Sequence, residues 1–162
     1  MRTALLLACL AGPALAGIDI SGYPLGPHPA DDYALAAEVF NAGRPLEGAC
    51  LFYRGQFRFR VHLTARPEAE GTGDGPLFDS LSEVVGRPLN EWAGGDRDDW
   101  LAVLDCGLGW AATADDPFTP RARFPEAWEA QRAGFQALRD DVAALSVADL
   151  RAQREAAGLP NR

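Results

Sequence analysis

A chain of 162 residues with a formal charge of −8, 48% hydrophobic and 23% charged, has the content of one folded domain; it is too apolar for disorder and too acidic for a nucleic-acid binder or a polybasic membrane-surface protein. Its 15 basic residues are all arginine, which excludes a Walker A phosphate loop, a Schiff base and a Ser–Lys dyad. The two histidines, His28 and His62, are too few for a three-histidine metal centre in one chain.

Residues 1–16, MRTALLLACLAGPALA, read as a secretory signal peptide. Arg2 gives the positive start, residues 4–11 the apolar core, Gly12-Pro13 the break and Ala14-Leu15-Ala16 the small-x-small site, with cleavage before Gly17. The apolar run falls short of the roughly 20 residues needed to span a bilayer, so no stable membrane insertion is expected after cleavage. Cys9 sits in a lipoprotein-box-like LLAC, but apolar residues continue past it, and plain export is the preferred reading. The expected location is periplasmic or secreted. Loss of the leader leaves two cysteines, Cys50 and Cys106. In an oxidising compartment they suggest one disulfide, stabilising by about 4 kcal/mol on the chain-entropy model. Two separately buried thiols are the alternative.

Residues 17–30, rich in proline and glycine, predict an extended arm, ahead of a helical domain over 31–162. A helix is expected from Asp31 or Asp32, where a carboxylate can cap free N–H groups, to a left-handed Gly43. Pro45 opens the next element, LEGACLFYRGQFRFRVHL. Phe57, Phe59, Val61 and Leu63 alternate with polar residues as in a strand, which would make 50–63 a hairpin turning near Gly55. Leu46, Cys50, Tyr53, Phe57 and Val61 recur at helical spacing, and Gly48 and Gly55 share a stripe that a neighbouring helix could approach closely. The helix is the preferred reading.

An acidic, glycine-rich connector follows over 64–76, then a short helix to Gly86 and one further turn from Pro88 through Trp92. Asp96, Asp98 and Asp99 head a helix with Trp100, Leu101, Leu104, Leu108 and Ala111 on its apolar face. A long helix starts at Pro125 with Trp128, Phe135, Leu138, Val142 and Leu145 inside. Ser146 and Asp149 cap a last helix ending at Gly158. The expected class is all-α, five to six helices.

The run Ala36, Gly43, Gly48, Phe52, Gly55 resembles one tetratricopeptide unit over residues 33–60, without a second copy downstream. The resemblance implies a helical hairpin packed on a small bundle, and a protein-binding role. GRPLNEW and AQREAAGLPNR resemble stretches of small exported bacterial proteins without an assigned activity.

No catalytic constellation stands out: the serines lie in no nucleophile motif, and bridged cysteines offer no thiolate. Asp74, Asp96, Asp98 and Asp99 could be imagined around calcium, but no calcium-loop motif is present and helix capping explains the last three. No metal or cofactor is therefore expected. Asp115-Asp116 and Asp140-Asp141 read as solvated faces. Arg54 and Arg58 lie one turn apart and would share an exposed face, with Arg44 nearby. They would bind a carboxylate, a phosphate or an acidic partner, or else pair with the surplus acids around them. Trp92, in an NEWAGG turn, is the candidate for a partly exposed hot spot.

The first functional expectation is a non-catalytic exported protein-binding module, of the kind that inhibitor and immunity proteins represent, gripping a protein or peptide through the groove of the 31–63 hairpin at Arg54, Arg58 and Trp92. The alternative is a cell-envelope small-ligand binder or enzyme with a pocket between helices lined by Trp, Phe and Arg, recognisable by Arg58 or His62 facing into it. A third reading, a structural accessory of an envelope assembly, has no specific feature in its favour.

Overall fold

The computed structural model describes residues 17–71 and 73–162, so the expected leader and Cys9 lie outside the described residues. Seven α-helices follow in order: α1 Pro29–Asn41, α2 Pro45–Ala65, α3 Asp74–Leu81, α4 Arg87–Ala93, α5 Arg97–Thr113, α6 Pro125–Ala144 and α7 Val147–Ala156. A 3-10 turn at Pro67–Ala69 follows α2, and a π turn at Ser82–Gly86 makes α3 and α4 one continuous run. The described residues contain no strand, and the class is all-α.

Residues 50–63 are therefore helix. Their strand-like alternation arises because α2 is central. α1, α4, α5 and α6 pack around it, and between Gly48 and His62 only Gln56 and Arg60 escape burial. A helix enclosed on all sides shows no clean apolar stripe.

The turn from α1 to α2 is made by Gly43, whose φ of +81° is costly for any residue with a Cβ. The returning α2 then presses its glycines onto α1. A Cβ at Gly48 would lie 2.8 Å from Phe40 Cβ and from Phe40 backbone N, and one at Gly55 2.9 Å from Asp32 Cβ. Both glycines lie where the sequence expects close helix approach.

Cys50 and Cys106 form a disulfide, with Cα atoms 5.9 Å apart, and join α2 to α5. Phe57 of α2 meets Trp128 and Phe135 of α6 at ring separations of 5.3 and 5.4 Å. Tyr53 donates to Asn90 Oδ1 at 2.8 Å and accepts from Trp100 Nε1 at 2.9 Å, tying α2 to α4 and α5. Burial pushes the Tyr53 hydroxyl up to about 12, and it does the same to Tyr33.

Helix α1 begins two or three residues before the expected Asp31 or Asp32. His28 is its N-cap and Pro29 its first residue, with the Ala30 N–H donating to His28 Nδ1 at 3.1 Å and the His28 N–H donating to Asp31 at 2.9 Å. Other ends lie as the sequence suggests. Asp96 accepts from the N–H groups of Asp98 and Asp99, Ser146 accepts from Asp149, and Gly158 has a φ of +71°. Among the described residues, no helix is long and apolar enough to cross a membrane.

Candidate functional site

Arg54 and Arg58 project from one face of α2, as their spacing requires, but that face is interior. They are 2% and 0% exposed, which corrects the expectation of a surface stripe. Asp32 comes from α1 and Asp116 from the loop between α5 and α6, also buried, so Asp116 is not a solvated acid. Arg58 forks onto Asp116, with Nε and Nη2 donating at 2.9 and 3.0 Å, and its Nη1 donates to Asp32 at 3.0 Å. Arg54 Nη2 donates to the other Asp32 oxygen at 2.7 Å. Burial alone would lower the Arg58 pKa, but the Asp116 and Asp32 carboxylates outweigh it and hold the group above its ordinary value. Two guanidiniums against two carboxylates leave the cluster neutral in sum, which makes its burial tolerable.

Further N–H groups of this cluster hold the N-terminal arm, while the buried Arg54 Nε has no hydrogen-bond partner. Arg54 donates to the carbonyls of Tyr23 and Pro24 at 3.0 and 3.3 Å, and Arg58 to that of Gly26 at 2.9 Å. The arginines read from the sequence as partner contacts instead fix residues 23–26 against the helices. Arm and α5 then enclose an elongated groove of about 1050 Å³. Ile18, Ile20 and Leu25 of the arm face Leu101 and Trp110 of α5, with Leu46 nearby. Cys106 Sγ lies 3.6 Å from the Ile18 carbonyl oxygen, so the disulfide is part of the floor. Gly17, Asp19, Ser21, Asp98, Asp105, Gly109 and Thr113 all line the groove and are all exposed, so it opens to solvent along its length.

The rim is acidic. Asp19, Asp98, Asp99 and Asp105 line it, and three of them are ion-paired: Asp98 with Arg97 at 3.4 Å, Asp99 with Arg162 at 2.9 Å and Asp105 with Arg139 at 2.9 Å. The Ser21 N–H holds the Asp19 carboxyl below its ordinary value. Arg54 also reaches the lining, with its charge met by Asp32.

The histidines meet on one carboxylate. His62 Nε2 lies 2.9 Å from Asp74 Oδ2, and His28 Nε2 lies 3.6 Å from Asp74 Oδ1. Phe118 packs its ring against both, at 4.7 Å. At Nδ1 each ring faces a donor: the Ala30 N–H for His28, and Arg66 Nη1 at 3.2 Å for His62. With a donor at Nδ1, His62 Nε2 is left to donate to Asp74, whereas His28 Nε2 stands beyond hydrogen-bond distance of it. A metal-ligating imidazole needs one ring nitrogen with a free lone pair, and both nitrogens of His62 are already engaged, by Asp74 and Arg66. The donor set does not fit a cation. Among the described residues, no group of three His, Cys, Asp or Glu side chains is arranged to hold one, and Asp96 is occupied in capping α5.

Arg58 and His62 do face inward, as the pocket reading requires, but onto Asp116, Asp32 and Asp74 instead of a cavity. The inner face of the hairpin's α2 is covered by α5 and α6. Trp92 is half-buried. Phe40 meets its ring edge-on at 5.6 Å, and the Arg162 guanidinium lies 3.8 Å over its face. The arginine beside this tryptophan is thus Arg162 of the same chain, which also donates to Asp99 at 2.9 Å.

Sequence reasoning missed Asp32, Asp116 and the arm as a groove wall. One sign was legible: Ala102, Cys106, Gly109 and Thr113 recur at helical spacing as a stripe of small residues along α5. No family model, no curated protein and no solved structure matches this chain.

Proposed function

We propose that this chain is a non-catalytic, exported protein-binding module that seats a segment of its partner in the groove between residues 17–25 and α5. One observation carries the reading. The apolar opening lies outside a filled core and runs along the surface, while the buried ionic groups are spent on holding its wall. The Cys50–Cys106 bridge supports an oxidising location, periplasmic or secreted. An inhibitor or immunity-type role is consistent with a small acidic binder of this sort, by analogy of class only.

The small-ligand alternative has one observation in its favour. The groove volume of about 1050 Å³ lies at the upper end of the roughly 300–1,000 Å³ typical of ligand sites.

A groove-blocking substitution separates the outcomes. A Cβ at Gly109 would meet nothing within 4 Å, so Gly109→Phe fills the groove without disturbing the core. Gly134 on α6 is equally open and lies away from the groove, which makes Gly134→Phe the control. Affinity capture from the exported fraction should recover a partner with the wild type and Gly134→Phe, and lose it with Gly109→Phe. Equal recovery by all three, or no protein recovered beside a co-purifying small molecule, contradicts the reading.

A further inference from the structure

We infer that Cys106 is the reactive sulfur of a thiol–disulfide exchange site, open to the thiolate of a small thiol that enters the groove. The first observation is the inequality of the two bridged sulfurs. Cys50 is 0% exposed, enclosed in the core on α2, whereas Cys106 is half-buried and lines the groove between the arm and α5. Access decides in part which sulfur of a disulfide a thiolate attacks. Reaching Cys50 requires α2 to be uncovered. Reaching Cys106 requires only the groove, which opens to solvent along its length.

The second observation is the cover over that sulfur. The Ile18 carbonyl oxygen lies 3.6 Å from Cys106 Sγ. Arg54 and Arg58 pin the arm further along, at Tyr23, Pro24 and Gly26. Ahead of those points the arm rests on side-chain packing: Ile20 is buried, Ile18 packs partly buried against the core, and Gly17 and Asp19 are exposed. Lifting Ile18 therefore uncovers Cys106 without breaking the ionic cluster.

The step is a balanced exchange. The incoming thiolate attacks Cys106 Sγ, and the new sulfur–sulfur bond forms as the Cys50–Cys106 bond breaks. The electron pair leaves on Cys50 Sγ, which takes a proton from water. The small thiol is oxidised into a mixed disulfide, and Cys50 is reduced. A protonated cysteine is a small apolar side chain, so Cys50 can stay in the core. Helices α2 and α5 remain tied by Trp100 Nε1, which donates to the Tyr53 hydroxyl at 2.9 Å. The adduct stands on the floor of the groove and fills it, so the exchange also shuts out any other occupant.

The test treats the purified, oxidised protein with reduced glutathione, quenches with iodoacetamide at early times and maps both cysteines by peptide mass spectrometry. Glutathione on Cys106 with alkylated Cys50 should exceed the reverse by at least about tenfold, at a rate unchanged by urea below the unfolding transition. Gly109 stands one turn beyond Cys106 on α5, and helical side chains lean toward the N-terminus. Gly109→Phe thus overhangs the sulfur and should slow the reaction by about tenfold, with Gly134→Phe within about twofold. Ile18→Ser loosens the cover and should speed it by about threefold. Urea midpoints establish that each variant is folded, and the choice of sulfur is read on the wild type alone. Adducts spread evenly, adducts mainly on Cys50, or loss of the bridge only where urea unfolds the chain would overturn the assignment. A rate indifferent to both Gly109→Phe and Ile18→Ser would overturn the groove as the route.

Discussion

Gly48 on α2 and Gly109 on α5 are the same residue in the same kind of element, with opposite surroundings. At Gly48 the backbone of α1 lies so close that a methyl group would strike Phe40 and the Ala36 carbonyl, whereas at Gly109 there is open space. Polar groups divide the same way. Beneath α1, charges are buried in pairs; along α5, carboxylates stand at the rim of an apolar trough. A small-residue stripe thus marks where a helix can approach, and here one stripe already has its helix while the other does not. The closed region spends its chemistry on construction, and the open region is where we propose that recognition occurs.

The comparison can be broken from its closed side first. Arg58→Ala removes the hub of the ionic cluster, strands the buried Asp116 carboxylate and leaves Asp32 to Arg54 alone, at an expected cost of about 3–5 kcal/mol by urea denaturation. A loss near zero would mean that the cluster does not hold the arm. Alkaline titration comes next. Above pH 10 an unfolded chain releases its tyrosyl protons, while Tyr33 and Tyr53 keep theirs to about 12. The folded state then binds more protons, so stability falls as pH rises from 10 to 12, by on the order of 2–3 kcal/mol per tyrosine. Tyr33→Phe and Tyr53→Phe should each flatten part of that decline.

Gly48→Ala should destabilise by about 2 kcal/mol despite alanine's better helix propensity, because the obstacle is backbone and cannot rotate away. The smallest effect is the sharpest contrast. Gly109→Ala should stabilise by about 0.5–1 kcal/mol, since the substitution meets no contact and restricts the unfolded chain. Equal signs for these two alanines would erase the distinction between a covered face and an open one.

Much of this architecture is legible locally. Gly43 and Gly158 announce left-handed positions, Ser146 and Asp96 announce helix starts, and the helical spacing from Leu46 to Val61 outweighs the strand-like alternation. What failed was direction. The spacing of Arg54 and Arg58 places both on one face of α2, but only tertiary packing decides that α1, the arm and the α5–α6 loop cover that face with Asp32 and Asp116. Pro29, suited to a first helical position, was a local sign that α1 starts before Asp31. The groove had no local sign beyond the small residues of α5, because its second wall is an irregular arm held by side chains far along the chain.

Backbone amide shift mapping with the partner recovered by affinity capture tests the central claim most directly. Perturbations should concentrate on residues 17–25 and 98–113, and vanish in Gly109→Phe. Shifts centred instead on α3, α4 or α7, or unchanged by the blocking substitution, would contradict a recognition surface between the arm and α5.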